Sequence, residues 1–496
     1  MAARAARRKP LSDCVGHDLG AAPIDAARDV WITGIATDSR KVAPGDLFIA
    51  ERGATHDGHD YIDAAIARGA AAILVDRDVV NSSAVVVKVD DTRRSAGRVA
   101  ARFYGHPSRE LGCIGVTGTN GKTSVAHFTA ALLTATGKPA GYGGTLGWGF
   151  AGRTDSAELT TEDAVTVQRR LADLLAEGAD WVAMEASSHA LDQGRVDDVA
   201  YDIAVFTNLT RDHLDYHQSM ERYAAAKRRL FEWPTLQSGV VNWDDPQGRI
   251  IYRERRSNLE VLRFGATSDA DLHWSNLSFD AGGIAGVLTT PWGRRPFRLA
   301  LFGEFNVANF VAAAAAACLA GAAFDDVLDA APELTAPLGR MQFIHVPQRP
   351  VVVVDFAHTP DALAKVLDGL RRHTPGRLIC VFGCGGDRDR GKRPLMAQSV
   401  EASSDQAWVT SDNPRSESPS AIADEIVAGF EGRIEFEIEL DRARAIERAI
   451  DGARSIDVVL IAGKGHETYQ EVAGRRAPFN DVEVARDVLA RTETRH

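Results

Sequence analysis

The residues whose types and spacing best suit chemistry form one string, Gly115-Val116-Thr117-Gly118-Thr119-Asn120-Gly121-Lys122-Thr123, with Ser124 opening the helical run behind it. Gly118 and Gly121 let backbone N–H groups turn toward phosphate oxygens. Lys122 offers a point charge to the β and γ phosphates, and the Thr123 hydroxyl suits Mg2+. The string departs from the strict phosphate-loop pattern, since Val116 stands where the first glycine belongs. ATP or GTP is the expected ligand. Lysine is itself an informative choice in this chain, because only nine of its 57 basic residues are lysines. Four of them, Lys122, Lys227, Lys392 and Lys464, fall inside polar motifs, where an ammonium or a reactive amine does what a guanidinium cannot.

Downstream come Leu159-Thr160-Thr161, then Met184-Glu185-Ala186-Ser187-Ser188-His189 with Gln193 and Arg195, then Phe206-Thr207-Asn208-Leu209-Thr210-Arg211-Asp212-His213. Each sets polar residues at the end of an expected buried strand, and in a parallel sheet those strand ends line the ligand crevice. Glu185 and His213 are then placed to bind a metal beside the phosphates, while Ser187, Gln193 and Arg195 suit a carboxylate-bearing substrate. Taken alone, Glu185 reads as a surface acid and His213 as a helix-start residue; the phosphate loop in the same domain favours the functional reading. His213 and His217 imitate the spacing of a zinc protease, but Leu214 replaces the glutamate that chemistry needs. Three more polar strings follow: Gly383-Cys384-Gly385-Gly386-Asp387-Arg388, Asp412-Asn413-Pro414-Arg415 and Gly463-Lys464-Gly465-His466-Glu467.

These groups need a frame, and 496 residues supply about three domains of the usual size. Short apolar runs at 32–35, 46–50, 71–75 and 85–89 read as strands of a small α/β domain that closes in the turn Gly105-His106-Pro107-Ser108. A second unit opens with a strand over 111–116 and a helix over 124–136, with further strands at 181–184, 203–206 and 239–241. Strands alternating with helices imply a doubly wound parallel sheet. Residues 272–301 suggest an antiparallel appendage, the Ala-rich run 310–324 a buried helix, and Gly141-Tyr142-Gly143-Gly144 a loop. After Pro337-Leu338-Gly339-Arg340 a third α/β series begins, with strands at 351–354, 378–382 and 458–462. The expected fold is α/β in three domains: 1–107, 108–338 and 339–496.

Composition narrows the class. At 45% hydrophobic and 25% charged the chain is an ordinary globular one, and its longest apolar run is too short to span a bilayer. The basic N-terminus leads into no apolar core, so a cytoplasmic protein is expected. Five cysteines without a CxxC pair argue against disulfides and structural zinc. A net charge of −11 disfavours nucleic acid and anionic membranes as partners. A monomer is expected.

Taken together, these strings resemble the ATP-dependent Mur ligase family, and the similarity runs from about Thr37 to Gln470. It implies a central phosphate-loop domain between an N-terminal UDP-binding domain and a C-terminal Rossmann-like domain. In that family a lysine in the context of Tyr223-Ala224-Ala225-Ala226-Lys227 is carbamylated by CO2, which turns a cation into a carboxylate-like ligand. The implied Mg2+ set is Thr123, Glu185, His213 and carbamylated Lys227, with Lys122 completing the catalytic group. Thr37 and Ser39 in Thr37-Asp38-Ser39-Arg40 would hold the UDP end with Ala54, Thr55 and His56, and Thr160, Thr161, Ser187, Gln193 and Arg195 the rest of that substrate. Asn306 and Asn309 would lie near adenine, Arg340 at a hinge touching phosphate, and Asp355 and His358 at a strand end reaching back to the nucleotide. Relatives often carry Tyr where Phe356 stands, which puts only a minor contact in doubt.

The same resemblance assigns the incoming amino acid to Arg388, Asp412, Asn413, Pro414, Arg415, Gly463 and Glu467. Meso-2,6-diaminopimelate carries a second carboxylate and amine, which an Arg415 fork and a Glu467 carboxylate can pair with, and lysine-adding relatives usually lack the arginine. The implied activity joins meso-diaminopimelate to UDP-N-acetylmuramoyl-L-alanyl-D-glutamate through an acyl phosphate, with ATP as co-substrate. A folylpolyglutamate synthetase would share the phosphate loop but leave Thr37-Asp38-Ser39-Arg40 and Asp412-Asn413-Pro414-Arg415 without a task. A motor or switch ATPase would turn over without an acceptor, and an inactive scaffold would have no need of Lys122, Glu185, His213 and Lys227.

Overall fold

Apolar runs of four to six residues, bounded by glycine and polar turns, form parallel strands buried on both faces in each of three sheets. The computed structural model describes residues 8–53, 56–79, 83–150, 153–157, 159–280 and 283–491. The expected ligand residues Ala54 and Thr55, and the start of the basic N-terminal segment, lie outside them. The first sheet is β1 (Gly34–Ala36), β2 (Asp46–Ile49), β3 (Ala72–Val75) and β4 (Val85–Lys88), all parallel and in that order. The run at 32–35 is not one strand: Trp31–Ile32 pairs with Lys9–Pro10 in a separate ribbon, and the chain breaks at Thr33 before β1. Helix α1 (Thr92–Tyr104), capped by Asp91 and ended by Gly105 in the left-handed region, follows this sheet.

The middle sheet comprises β5 (Gly112–Thr117), β6 (Ala140–Gly144), β7 (Gly147–Phe150), β8 (Arg153–Asp155), β9 (Trp181–Glu185), β10 (Ile203–Phe206), β11 (Ser238–Asn242), β12 (Glu260–Gly265), β13 (Leu272–Asp280), β14 (Gly283–Thr290) and β15 (Gly293–Leu299). Their order is β8-β7-β6-β9-β5-β10-β11-β12-β13-β14-β15. The chain leaves β5 in one direction to β6 and returns to the other side at β10, so the switch point lies at the end of β5. In register, Glu185 pairs with Val116 and Phe206 with Thr117, which brings three polar loops out at one edge.

Two expectations are corrected here. Gly141-Tyr142-Gly143-Gly144 is strand β6, not a loop, and its glycines answer to packing. A Cβ on Gly143 would stand 2.6 Å from the Trp148 ring, and one on Gly144 would stand 2.3 Å from Glu185 Oε1. Strands β13 to β15 are antiparallel as expected, but they are no appendage, because β13 pairs with β12 and extends the main sheet.

Helix α2 (Lys122–Ala135) leaves the switch point, α3 (Ala164–Ala176) packs against α1, and α4 (Ser188–Asp192) and α5 (Met220–Arg228) frame the site. The Ala-rich helix α6 (Phe305–Leu319) packs along α2, and Ala312 to Ala317 are fully or almost fully buried. Small side chains let the two axes approach closely, which brings the first turn of α6 to the phosphate loop.

The third sheet is β16 (Gln342–Ile344), β17 (Val351–Asp355), β18 (Leu378–Phe382), β19 (Gln406–Val409), β20 (Glu435–Ile438) and β21 (Val458–Ala462) in the order β16-β17-β21-β18-β19-β20. Only β16 is antiparallel. Helices α7 (Pro360–Arg371), α8 (Lys392–Ser403), α9 (Arg442–Asp451) and α10 (Asp481–Arg491) cover it, and β22 (Tyr469–Val472) with β23 (Arg475–Pro478) forms a hairpin beyond β21. The third sheet meets the middle one through a Phe302–Phe343 stack with centroids 3.8 Å apart and through His373 Nδ1 against Asp280 O at 3.2 Å. All five cysteines are free thiols. Among the described residues no helix is long and apolar enough to cross a membrane.

Candidate active site

The loop after β5 turns on two glycines in the left-handed region, Gly118 at φ 149° and Gly121 at φ 85°. Gly121 precedes α2 without any side-chain cap, which leaves the first N–H groups of that helix for a ligand. The neighbouring strand end holds the loop's shape. Thr207 Oγ1 donates to Asn120 O at 2.6 Å, Asn120 N donates to Asn208 Oδ1 at 2.9 Å, and Thr119 N donates to Asn208 O at 2.8 Å. Lys122 Nζ folds back on Gly118 O and Thr119 O at 3.0 and 2.9 Å, and its burial lowers its pKa.

A cleft of about 640 Å3 opens from this loop toward the third sheet. Thr119 to Ser124, Thr160, Glu185 and His213 line one wall; Arg340, Asp355 and His358 line the other; Asn306 and Asn309 stand at the head of α6 between them. Asn309 Oδ1 lies where a Cβ on Gly121 would come within 2.6 Å, so α6 touches the loop directly. Asp355 accepts from Met341 N and Ala357 N, each at 2.7 Å, and thereby fixes the Arg340-Met341 turn to the end of β17. Arg340 lies 4.5 Å over the Phe356 ring, and its buried Nε has no partner among the described residues, a donor left for an anion. Burial and the nearby Lys392 charge push His358 down to about 4, so its ring is neutral at physiological pH.

Glu185 Oε1 accepts from Thr123 Oγ1 at 3.0 Å, Tyr142 Oη at 2.7 Å and Thr145 N at 2.8 Å. His213, in the left-handed region at φ 54°, sits 4.8 Å from the His189 ring and 6.1 Å from that of Tyr223. Lys227 lies outside the cleft wall, beneath the loop. It is buried, donates to Gly118 O at 2.7 Å, and stands 4.4 Å over the Tyr223 ring. Burial first, and the charge of Lys122 second, hold its amine well below the ordinary lysine pKa. A neutral amine is the form that captures CO2. Among the described residues no three His, Cys, Asp or Glu side chains gather to bind a metal alone. The hydroxyl of Thr123, the carboxylate of Glu185 and the imidazole of His213 are nevertheless donors that suit a cation shared with phosphates, with the buried Lys227 amine beside the loop.

Two further stations lie off the cleft. Arg195 donates to Gln193 Oε1 through Nε and Nη2 at 3.0 and 2.6 Å and to Thr161 O at 2.9 Å, while Thr161 Oγ1 ties Glu185 O to Ser187 N. Facing that station from the first sheet is Glu51, whose carboxyl is pushed up to about 7 by burial and by Asp163, against the opposing charges of Arg93 and Arg195. Thr37 is half-buried, Ser39 is buried behind the Asp38 cap, and His56 is exposed; none of the three reaches the cleft.

The third station lies at the ends of β18, β19 and β21. Asn413 Nδ2 donates to Glu467 Oε2 at 2.7 Å, Arg415 Nη1 donates to Gly386 O at 2.6 Å, and Pro414 lies between them in the chain. A Cβ on Gly385 would meet Arg415 Nη1 at 3.0 Å and Arg388 Cγ at 3.8 Å, so the two guanidinium arms are neighbours. Gly463, at φ 113°, leaves room for Asp412 Oδ2, which would lie 2.7 Å from a Cβ there. Burial raises the pKa of Asp412.

Sequence reasoning passed over Thr207 and Asn208, the loop's clamps, and Asn242, Asp244, Asp245 and Phe264, which line the cleft. The rule that found Glu185, a polar residue ending a buried strand, would have found Asn242 as well.

Comparison with known proteins bears on this geometry. Residues 31–104 match the family described as Mur ligase family, catalytic domain; residues 116–317 the Mur ligase middle domain; and residues 339–465 the Mur ligase, glutamate ligase domain. The chain is 48% identical to UDP-N-acetylmuramoyl-L-alanyl-D-glutamate--2,6-diaminopimelate ligase of Pseudomonas syringae pv. tomato, covering 93% of this chain and 96% of that one. The protein of the same name from Pseudomonas aeruginosa is also 48% identical, over 95% and 98%. A solved structure bearing that name is 36% identical and superposes with a TM-score of 0.68 over 93% of this chain and 95% of the other.

Proposed function

We propose, for a chain that belongs to the Mur ligase family, that it joins meso-2,6-diaminopimelate to the D-glutamate of UDP-N-acetylmuramoyl-L-alanyl-D-glutamate while ATP becomes ADP and phosphate. The product is a UDP-muramoyl tripeptide for peptidoglycan. The observation that carries this reading is the third station. Arg415 and Glu467, opposite charges fixed to one scaffold through Asn413 and Glu471, suit a ligand end that bears both a carboxylate and an ammonium. A folylpolyglutamate substrate has no such end for them.

A free carboxylate is a poor electrophile. An oxygen of the D-glutamate side chain therefore attacks the γ-phosphorus, the bond to the ADP oxygen breaks, and an acyl phosphate results. The diaminopimelate amine then attacks the acyl carbon, loses its proton, and phosphate departs with the C–O electron pair. Gln193 and Arg195 orient the UDP substrate's carboxylate side, together with Thr160, Thr161 and Ser187; Thr37, Ser39 and the loop of Ala54, Thr55 and His56 hold its UDP end. The loop N–H groups and Lys122 neutralise phosphate charge, with Arg340 approaching from the third sheet and Asn306, Asn309, Asp355 and His358 around the nucleotide. Arg388 and Asp412 to Arg415, with Gly463 and Glu467, hold the amino acid. Thr123, Glu185, His213 and Lys227, as its carbamate, would bind Mg2+, which supplies further charge neutralisation at the phosphates.

The domain seams in this reading fall near residues 107 and 338. One chain carries all three stations, so it works as a monomer, in the cytoplasm where ATP is made. The test is phosphate release from ATP and Mg2+ with UDP-muramoyl-L-Ala-D-Glu, offering meso-diaminopimelate or L-lysine. Release that needs both the UDP substrate and diaminopimelate is the expected result. Release with lysine alone overturns the specificity, and release with no acceptor overturns the ligase.

A further inference from the structure

Of the four lysines that stand inside motifs in this arginine-rich chain, Lys464 has no task in the reaction above. It is fully buried at the end of β21, so it cannot itself touch a ligand in the open station. Its ammonium donates to Asn413 Oδ1 at 3.0 Å and to Glu467 Oε2 at 2.8 Å, stands 4.0 Å from Asp412 Oδ1, and lies 5.6 Å over the Tyr469 ring. Asn413 Oδ1 also accepts from Glu471 N at 2.9 Å. Two donors on that oxygen leave the amide one orientation, with Nδ2 toward Glu467, and Nδ2 does donate to Glu467 Oε2 at 2.7 Å. Lys464 therefore sets the amide flip of Asn413 and, through it and directly, the pose of the Glu467 carboxylate. Glu467 Oε2 is filled twice, while Oε1 has no hydrogen-bond partner among the described residues.

We propose that Lys464 is a positioning residue for amino-acid selection, fixing the pose of the Glu467 carboxylate so that Oε1 is presented to the distal ammonium of the incoming diamino acid. This rests on the ligase reading above and deepens it. Lys464 lies 2.8 Å from the Glu467 carboxylate and 4.0 Å from that of Asp412, so one buried cation serves both. An arginine would fit the charge, but its planar fork needs acceptors in one plane, whereas Asn413, Glu467 and Asp412 surround a point. The other charges that act on the pair are Arg442 and Asp481 on Asp412 from the helix side, and His466 beside Glu467 from the cleft side. Arg442 is already engaged by Asp481 at 2.7 Å and cannot replace Lys464.

The test compares the whole enzyme with Lys464→Met, Lys464→Gln and Lys464→Met/Glu467→Gln, each first checked for ATP binding as a sign of folding. In Lys464→Met, KM for meso-diaminopimelate should rise about tenfold to a hundredfold while KM for ATP and for the UDP substrate stay within about threefold. Adding Glu467→Gln to Lys464→Met should cost little more, because the two side chains act as one unit. Lys464→Gln, which keeps a donor without the charge, should fall between wild type and Lys464→Met. A KM for diaminopimelate that is unchanged in Lys464→Met and Lys464→Gln, or that moves in step with the other two KM values and kcat, overturns the proposal. If both variants fail to bind ATP, the role is structural and the proposal is likewise overturned. Wild-type enzyme that turns over without diaminopimelate is a separate outcome, which removes the substrate reading and this one with it.

Discussion

A lysine buried beside a second lysine is a poor cation and a good nucleophile, and that is the state in which Lys227 sits beneath the phosphate loop. If its carbamate is the working form, Lys227→Ala should lower kcat by about a hundredfold or more, and a small carboxylic acid such as acetate should restore part of the rate by filling the space. A loss of that size without rescue would mean that the lysine serves the loop carbonyl of Gly118 instead. Glu51 allows a prediction of the opposite sign to the usual carboxylate. Its pKa in the folded chain is about 7 against an ordinary 4.5, so it binds its proton more tightly when folded. Its contribution to stability is complete below the ordinary value and is lost as the pH rises through about 7. Glu51→Gln should therefore narrow the gap in Tm between mildly acidic and mildly alkaline buffer, raising the alkaline value more than the acid one. An equal shift at both would place the Glu51 carboxyl in water. Lys122 and Glu185 were legible from sequence because the one opens a helix and the other ends a strand within a polar string, and Arg195 because it follows closely on the second of those strings. Glu51 was not, since its neighbours Asp163, a helix cap, and Arg195, in a turn, come from segments more than a hundred residues away.

At the scale of elements, the pairing of α2 with α6 decides whether the phosphate loop meets Asn309. Ala313 is fully buried in a helix whose close approach depends on methyl-sized side chains. Ala313→Leu should overpack that contact and cost about 1–3 kcal/mol, read as a lower urea midpoint with a raised KM for ATP. A stability loss with unchanged ATP affinity would uncouple the helix from the loop. The alanine run was readable as buried helix because nothing in it is polar, and β5, β9, β10, β17, β18 and β21 were readable because strands buried on both faces are continuous apolar runs. Strand β6 was misread because its glycines resemble a turn until Trp148 and Glu185 are seen to need the space. Helix α9 hides a different feature. Arg442 looks like any solvent-facing arginine, yet it is fully buried, bonded to Asp481 and to Ala462 O, and it fixes α10 to the strand end that carries Gly463 and Lys464. Pairing across 39 residues leaves no local signal.

For the whole molecule, the acyl phosphate has to meet an amine before it meets water, so the sheet holding the amino acid must close on the sheet holding ATP. Behind the Phe302–Phe343 stack, the contacts on the cleft side of the seam are single polar pairs. Asn120 Nδ2 of the phosphate loop donates to Asp361 Oδ2 on α7 at 3.3 Å, Glu304 pairs with Arg372, and Arg340 leans over Phe356 with its Nε unbonded. Sequence offers candidate seams at the Gly and Pro clusters but no sign of these contacts, because each joins single side chains from segments far apart. With the Phe302–Phe343 stack as the pivot, the cleft side of the seam should open when the cleft is empty and shut when anionic phosphate gives Arg340 its missing partner. Small-angle scattering should then record a smaller radius of gyration with ATP, UDP substrate and diaminopimelate than without them. In Arg340→Ala the compaction should be lost and ATP hydrolysis should run ahead of tripeptide formation, with phosphate and product departing from about one to one. A variant that neither compacts nor leaks phosphate would separate closure from water exclusion, and Arg340 would then serve nucleotide affinity alone.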